Sequence, residues 1–288
     1  MNIPALLHSL RDRDAPMADF PSNPVEKAGY RLEFQDEFPG GRPTEGRWLP
    51  WHLPQWSSRE RARARTASDG EHLVLRIDAD QPAWCPEFDG RVRVSSLQTG
   101  VLSGPLGSTV GQHRFNPACV VREAQERRFT CAPRHGWIEV RMRGPRTAGN
   151  HAALWMIGTE EEPSHCAEIC ICELFGVDRG PAASIVRFGV HPFRDPAIVD
   201  DFHARTLPID TAEFHVYAAD WTPESVRFFV DNELVGSVGQ SPRYRMQLML
   251  GLYELPDRTP PGDAYPKHCA IDYVRVYRPI GGDADAAR

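Results

Sequence analysis

The 288-residue chain predicts an all-β fold, a β-sandwich of two antiparallel sheets, and two observations lead there. Short runs of β-branched and aromatic residues recur between Pro and Gly breaks, and no segment sustains an apolar stripe of helical period. Many strands with almost no helix bury their apolar faces most simply against one another, as stacked sheets.

In chain order the clearest strands are Leu73–Ile77, Trp137–Met142, Ala152–Ile157, Ile185–Val190, Phe214–Trp221, Val226–Val230, Leu234–Val238, Met246–Leu250 and Ile271–Tyr277. Val, Ile and aromatic side chains recur in most of them, and these suit a pleated, half-buried surface. Asp231-Asn232-Glu233 reads as a tight hairpin turn, because Asp and Asn tolerate the turn geometry. Alternating Arg59, Arg61, Arg63 and Arg65 have the period of two of a strand's wet face. Three long connections, 176–183, 191–206 and 253–268, are placed to rim a binding site. Residues 1–27 read as a flexible arm with one short helix at 4–11, 28–279 as a single jelly-roll domain, and 280–288 as a disordered tail.

Totals narrow the function classes. Lys and Arg number 33 against 39 Asp and Glu, a net charge of −6 that recommends neither nucleic acid nor any other polyanion as partner. Seven cysteines without regular short spacing argue against a disulfide framework, and Cys166, Cys170 and Cys172 lack the paired spacing of a zinc knuckle. The opening residues hold no apolar run of signal-peptide length, and no window approaches the ~18 apolar residues of a membrane span. A monomer without membrane contact, acting on an uncharged ligand, is the reading that follows.

Chemistry is concentrated in Ala167-Glu168-Ile169-Cys170-Ile171-Cys172-Glu173-Leu174-Phe175, where two glutamates interrupt an apolar strand. Buried charges are costly unless they face a cleft or have partners. Strict alternation puts Glu168, Cys170 and Cys172 on one face and Glu173 on the other. A β-bulge near Ile171 or Cys172 is needed to unite the glutamates. Once united, their carboxyls can approach the ~5–5.5 Å of a double-displacement pair. A structural alternative pairs them with Arg141 or Arg187.

Glu168-Ile-Cys-Ile-Cys-Glu173 resembles the Glu-x-Asp-x-x-Glu motif of glycoside hydrolase family 16, with Cys170 in place of the central aspartate. The resemblance extends over Asp36-Glu37-Phe38, Gly136–Arg141, Leu154-Trp155-Met156, Phe214–Val226 and Ile271–Tyr277, in the family's order. It implies a concanavalin-like jelly roll and a retaining, endo-acting hydrolase of a β-glucan, β-1,3 or mixed-linkage. Glu168 matches the nucleophile and Glu173 the general acid/base. A neutral thiol at Cys170 weakens the repulsion that keeps Glu173 protonated, which implies a more acidic optimum. Two rival outcomes are a catalytically weak or inactive glycan-binding protein, which Cys170 favours, and a transglycosylase.

The same resemblance places Trp155, His191 and Arg141 at the cleft, and aromatic composition adds Trp51 and Trp56 as outer sugar platforms. Trp137 and Trp221 read as core. Gly251 and Tyr253 stand on a strand where the family often has Asn or Trp, which suggests an altered glycan preference. No cofactor is required, although the family's structural calcium implies ligands at Asp272, Glu37 and Gly70.

Overall fold

The computed structural model describes residues 18–260 and 262–281. Sixteen strands among them, β1 to β16, run Tyr30–Asp36, Arg65–Ser68, Leu73–Ile77, Arg93–Gln98, Gly100–Val101, Arg128–Phe129, Gly136–Arg143, Asn150–Gly158, Glu168–Phe175, Ser184–His191, Asp201–Leu207, His215–Trp221, Val226–Val230, Glu233–Val238, Met246–Glu254 and Lys267–Pro279. They form a back sheet ordered β14-β13-β12-β7-β16-β3-β2, with β1 also paired to β16, and a front sheet ordered β11-β10-β9-β8-β15-β4. All pairings within these two sheets are antiparallel, and together they build the jelly-roll sandwich.

Alternation decides which side chains fill the space between the sheets. From the front come Leu154 and Met156, Ile169 and Ile171, Val186 and Phe188, and Leu248 and Leu250. Ile138, Val140, Tyr217, Phe228, Val274 and Val276 meet them from the back. Truncating one of these large side chains to Ala costs ~2–5 kcal/mol, because the cavity collapses only in part.

Every strand read from the sequence is present. Asp231 and Asn232 both take left-handed backbone (φ 51° and 68°) between the paired Val230 and Glu233, the two-residue hairpin loop that follows the right-handed strand twist. Other readings change. The connection 191–206 contains β11, an edge strand whose largely exposed side chains leave no apolar alternation to detect. The arginine run is not a strand face. Residues 59–62 turn, Ala62 is fully buried, and only Arg65 enters β2.

Part of the N-terminal arm is fastened rather than loose. Phe20 donates its N–H to Phe214 O at 2.7 Å, Arg275 donates to Asn23 O at 2.8 Å, and Tyr277 donates to Val25 O at 2.9 Å. Lys27 sits 3.4 Å over the Trp137 ring. The segment thereby covers polar groups on the outer face of the back sheet, so the domain begins before residue 28. The helix expected at 4–11 and the tail beyond 281 lie outside the described residues.

All seven cysteines are free and buried. Among the described residues no group of three or more His, Cys, Asp or Glu is arranged to hold a metal. No helix there is long and apolar enough to cross a membrane.

Candidate active site

The two glutamates share a face because β9 is irregular. On one side Leu154 pairs with Cys172 and Trp155 with Cys170, leaving Ile171 without a partner. On the other side Arg187 pairs with Glu173 and Gly189 with Cys170, so three steps of β9 match two of β10. That extra residue is a β-bulge at Ile171. Ile169, Ile171, Cys172 and Leu174 then point into the core, while Cys170 joins Ala153, Trp155, Met249 and Tyr253 on the front face. Glu168 and Glu173 stand on that front face at either side of Cys170. Cys170 and Cys172, which strict alternation would align, are sent to opposite sides.

The floor around the pair is aromatic and rich in histidine. Trp155, 9% exposed, lies beside Cys170 and donates its indole N–H to Tyr253 Oη at 3.0 Å. The Tyr253 ring folds over Gly251, where a Cβ would lie 2.6 Å from the phenol oxygen, so this glycine makes room for the tyrosine. His191 pairs with Glu168 in register, lies 2.6 Å from Asp200 through Nδ1, and stacks on Phe202. Gly189 beside it has φ 149°, and a Cβ there would meet Asp201 O at 2.3 Å, so β10 and β11 can close only on glycine.

Two further histidines approach the carboxyls. His113 Nδ1 is 3.6 Å from Glu168 Oε1, and His151 Nε2 is 3.8 Å from Glu173 Oε1. Both nitrogens are buried without a hydrogen-bond partner. His151 stacks on Phe175 at 4.2 Å, and burial pushes both imidazoles down to about 3, leaving them neutral. His151 shares its face with Ala153 and Trp155 by the period of two, a signal the sequence does carry. His113 follows no motif and only the fold brings it here.

Electrostatics distinguish the two acids. Burial, then the charges of Glu173, Asp200 and Glu160, raise the Glu168 carboxyl to about 8. Glu173 is also raised by burial, but His191, Arg187 and the Cys170 thiol oppose the rise. The thiol itself is held well above its ordinary value by burial and by the two glutamates, and stays protonated. Burial thus favours the protonated form of both acids, with opposing contributions only at Glu173.

Several expected site residues lie elsewhere. Arg141 is on the outer face of the back sheet, donating to Asp272 Oδ2 and Phe20 O, both at 2.8 Å, because alternation turns its neighbours Val140 and Met142 inward. It cannot reach the front face. Trp56 is fully buried and bonds Gln112 O at 2.8 Å, which makes it core rather than a sugar platform. Trp51 is half-buried at the margin of the front cluster, with Arg59 and Arg63 5.6 and 5.9 Å from its ring. Arg187 directs its bonds to Asp178 at 2.7 and 2.9 Å, so neither glutamate is tied up in an arginine ion pair.

Of the three calcium ligands expected from the resemblance, Asp272, Glu37 and Gly70, the two carboxylates are engaged by arginines. Asp272 already accepts from Arg141 and from Ser22 at 2.8 Å, and Glu37 is held by both arms of Arg275 at 2.7 and 2.8 Å. Each carboxylate is thus matched by its own guanidinium group.

A jelly-roll sandwich with two half-buried carboxyls turned onto one face by a bulge, beside Trp155 and Tyr253, has the architecture of a glycoside hydrolase. The chain belongs to the glycosyl hydrolases family 16, whose family model matches residues 128–274. It is similar to a GlcNAcα1-4Gal-releasing endo-β-galactosidase from Clostridium perfringens, at 31% identity and a TM-score of 0.81 over 92% of this chain and 66% of that one. A β-glucanase of Rhodothermus marinus is 28% identical over 169 residues, 50% of this chain and 57% of that protein. The chain thus spans less than two thirds of either relative. The catalytic domain of a Thermotoga petrophila laminarinase shares the fold, at 17% identity and a TM-score of 0.59 over 87% of this chain and 98% of that one.

Proposed function

We propose that the chain is a retaining, endo-acting glycoside hydrolase that cleaves a β-glycosidic bond, with Glu168 as nucleophile and Glu173 as general acid/base. The bulge at Ile171 is the observation that carries this reading, because it sets both carboxyls on the face that holds Trp155. Ionised Glu168 attacks the anomeric carbon while Glu173 gives its proton to the departing oxygen, so the glycosidic bond breaks as a glycosyl ester forms. Glu173, now ionised, takes a proton from water, whose oxygen displaces Glu168 and restores both groups. Trp155 offers the flat apolar surface on which a pyranose face can rest. In this reading His191, in register with Glu168, hydrogen-bonds a sugar hydroxyl.

The glycan in this reading is β-galactosidic. The similarity to the endo-β-galactosidase covers nearly the whole chain, and Tyr253 folded over Gly251 stands on a strand where the family often has Asn or Trp. A β-glucan, β-1,3 or mixed-linkage, is the second reading, supported by the similarity to the β-glucanase. Reducing-end release from mucin-type O-glycans, laminarin and lichenan, with Glu168→Gln as control, separates them. Cleavage of the galactose-containing glycan, reduced on the order of 10³-fold or more in the control, is expected. Cleavage confined to laminarin or lichenan establishes the second reading, and binding without cleavage establishes a non-catalytic glycan-binding protein.

A further inference from the structure

Glu168 makes no side-chain hydrogen bond among the described residues, and the Cys170 thiol directs its interaction to Glu173. The central side chain of its own strand therefore does not donate to Glu168. His113, in the loop between β5 and β6, approaches it instead. Its backbone is left-handed (φ 50°) and pinned by an N–H bond to Glu160 Oε1 at 2.5 Å. Its ring is stacked on Phe193 at 4.5 Å and set edge-on to Trp155 at 5.2 Å. A non-glycine residue in this conformation carries strain of ~1–3 kcal/mol, which persists only where the surroundings enforce it. Everything fixed about the residue aims one unpartnered nitrogen, Nδ1, at Glu168 Oε1 from 3.6 Å.

We propose that His113 is the positioning residue of Glu168, a neutral imidazole whose Nδ1–H donates to the carboxylate and orients it for attack. The proposal rests on the reading of Glu168 as nucleophile. The 3.6 Å separation is slightly longer than a hydrogen bond, and in this role it shortens by a few tenths of an ångström in the substrate complex, as catalytic contacts often do. Donation to the charged form opposes the burial that favours the neutral acid. Other groups facing Glu168 are Glu173 and Cys170 on its own strand, His191 on β10, Asp200 ahead of β11, and Glu160 and Arg194 in the loops beside His113. None of them places a comparable unpartnered donor against its carboxyl.

Titration of the Glu168 carboxyl by carbon NMR in the unmutated protein and in His113→Phe tests this without any substrate. Phenylalanine preserves the stack on Phe193 and removes the donor, and the midpoint is expected to rise by about one pH unit, a tenfold loss of ionisation. In His113→Asn, whose amide N–H stands near the Nδ1 position, the midpoint and most of the turnover are expected to be retained. An unmoved midpoint in His113→Phe overturns the proposal. Should that variant fail to fold, the ring-nitrogen shifts of His113 in the unmutated protein decide it. A protonated Nδ1 is expected, and a bare Nδ1 overturns it. Turnover of Glu168→Gln separates the two layers, since an active Glu168→Gln sinks the nucleophile reading even where the titration moves. An inactive Glu168→Gln with an unmoved titration sinks the role of His113 alone.

Discussion

A carboxyl buried among apolar rings, with acids for neighbours, keeps its proton well into the neutral range, and Glu168 is raised to about 8 on these grounds. Two consequences belong to this residue. A nucleophile must be ionised while the acid keeps its proton, so kcat/KM is expected to be bell-shaped and displaced upward from the range of an ordinary carboxyl pair, as a pH–rate profile would show. The thiol at Cys170 taken by itself implies an acidic optimum, whereas burial raises both glutamates. Stability follows the same group with its own sign. Below its ordinary value near 4.5, Glu168 is protonated in folded and unfolded chains alike and costs nothing. As pH rises toward 8 the unfolded chain gives up the proton while the folded one holds it, and stability is lost. Glu168→Gln is therefore expected to raise the melting temperature at pH 8 by ~2–4 °C, about 1 kcal/mol for a domain of this size, and to leave it unchanged at pH 4.

Among the elements, β9 depends on one inserted residue. Deleting Ile171 lets the strand pair without interruption and drives Glu173, or Glu168 with Cys170, toward the apolar core. Loss of all turnover and a lower melting temperature are expected together, read by reducing-end assay and calorimetry. A chain without Ile171 that cleaves glycan normally would contradict the bulge's role. Much of this element was legible beforehand, since two acids in an apolar strand demand a break in alternation. The strands with apolar alternation on their core faces were legible for the same reason. Strand β11 was not, because an edge strand buries too little to leave a pattern, and β4 hides its strand character behind buried Ser95, Ser96 and Gln98. Arg141 looked like a cleft residue by resemblance, whereas the inward phase of Val140 and Met142 already points it to the outer side of the other sheet. His113 left no trace in the sequence, because its place beside Glu168 depends on a loop returning over the front sheet.

For the whole molecule, stability rests on packing rather than on cross-links. All seven thiols are free and buried, so the melting temperature is expected to be the same with and without reductant. The segment 18–27 is a working part of the back sheet. A chain beginning at residue 28 loses the cover on Trp137 and the carbonyl partners of Arg275 and Tyr277. It is expected to melt ~5 °C or more below one beginning at residue 18, since removing several contacts of ~1 kcal/mol each shifts a domain of this size by such amounts. Equal melting would show that the segment only decorates the surface. The front sheet, by contrast, leaves its outer face to the aromatic floor and the paired acids.

Which carboxyl attacks the sugar is the most direct question to put to the molecule. A fluorinated β-glycoside of the cleaved glycan, which forms the glycosyl ester faster than it loses it, labels the nucleophile for peptide mapping by mass spectrometry. The label is expected on Glu168. Its recovery on Glu173, or turnover with inversion and no labelled peptide at all, would contradict the assignment of roles across the bulge.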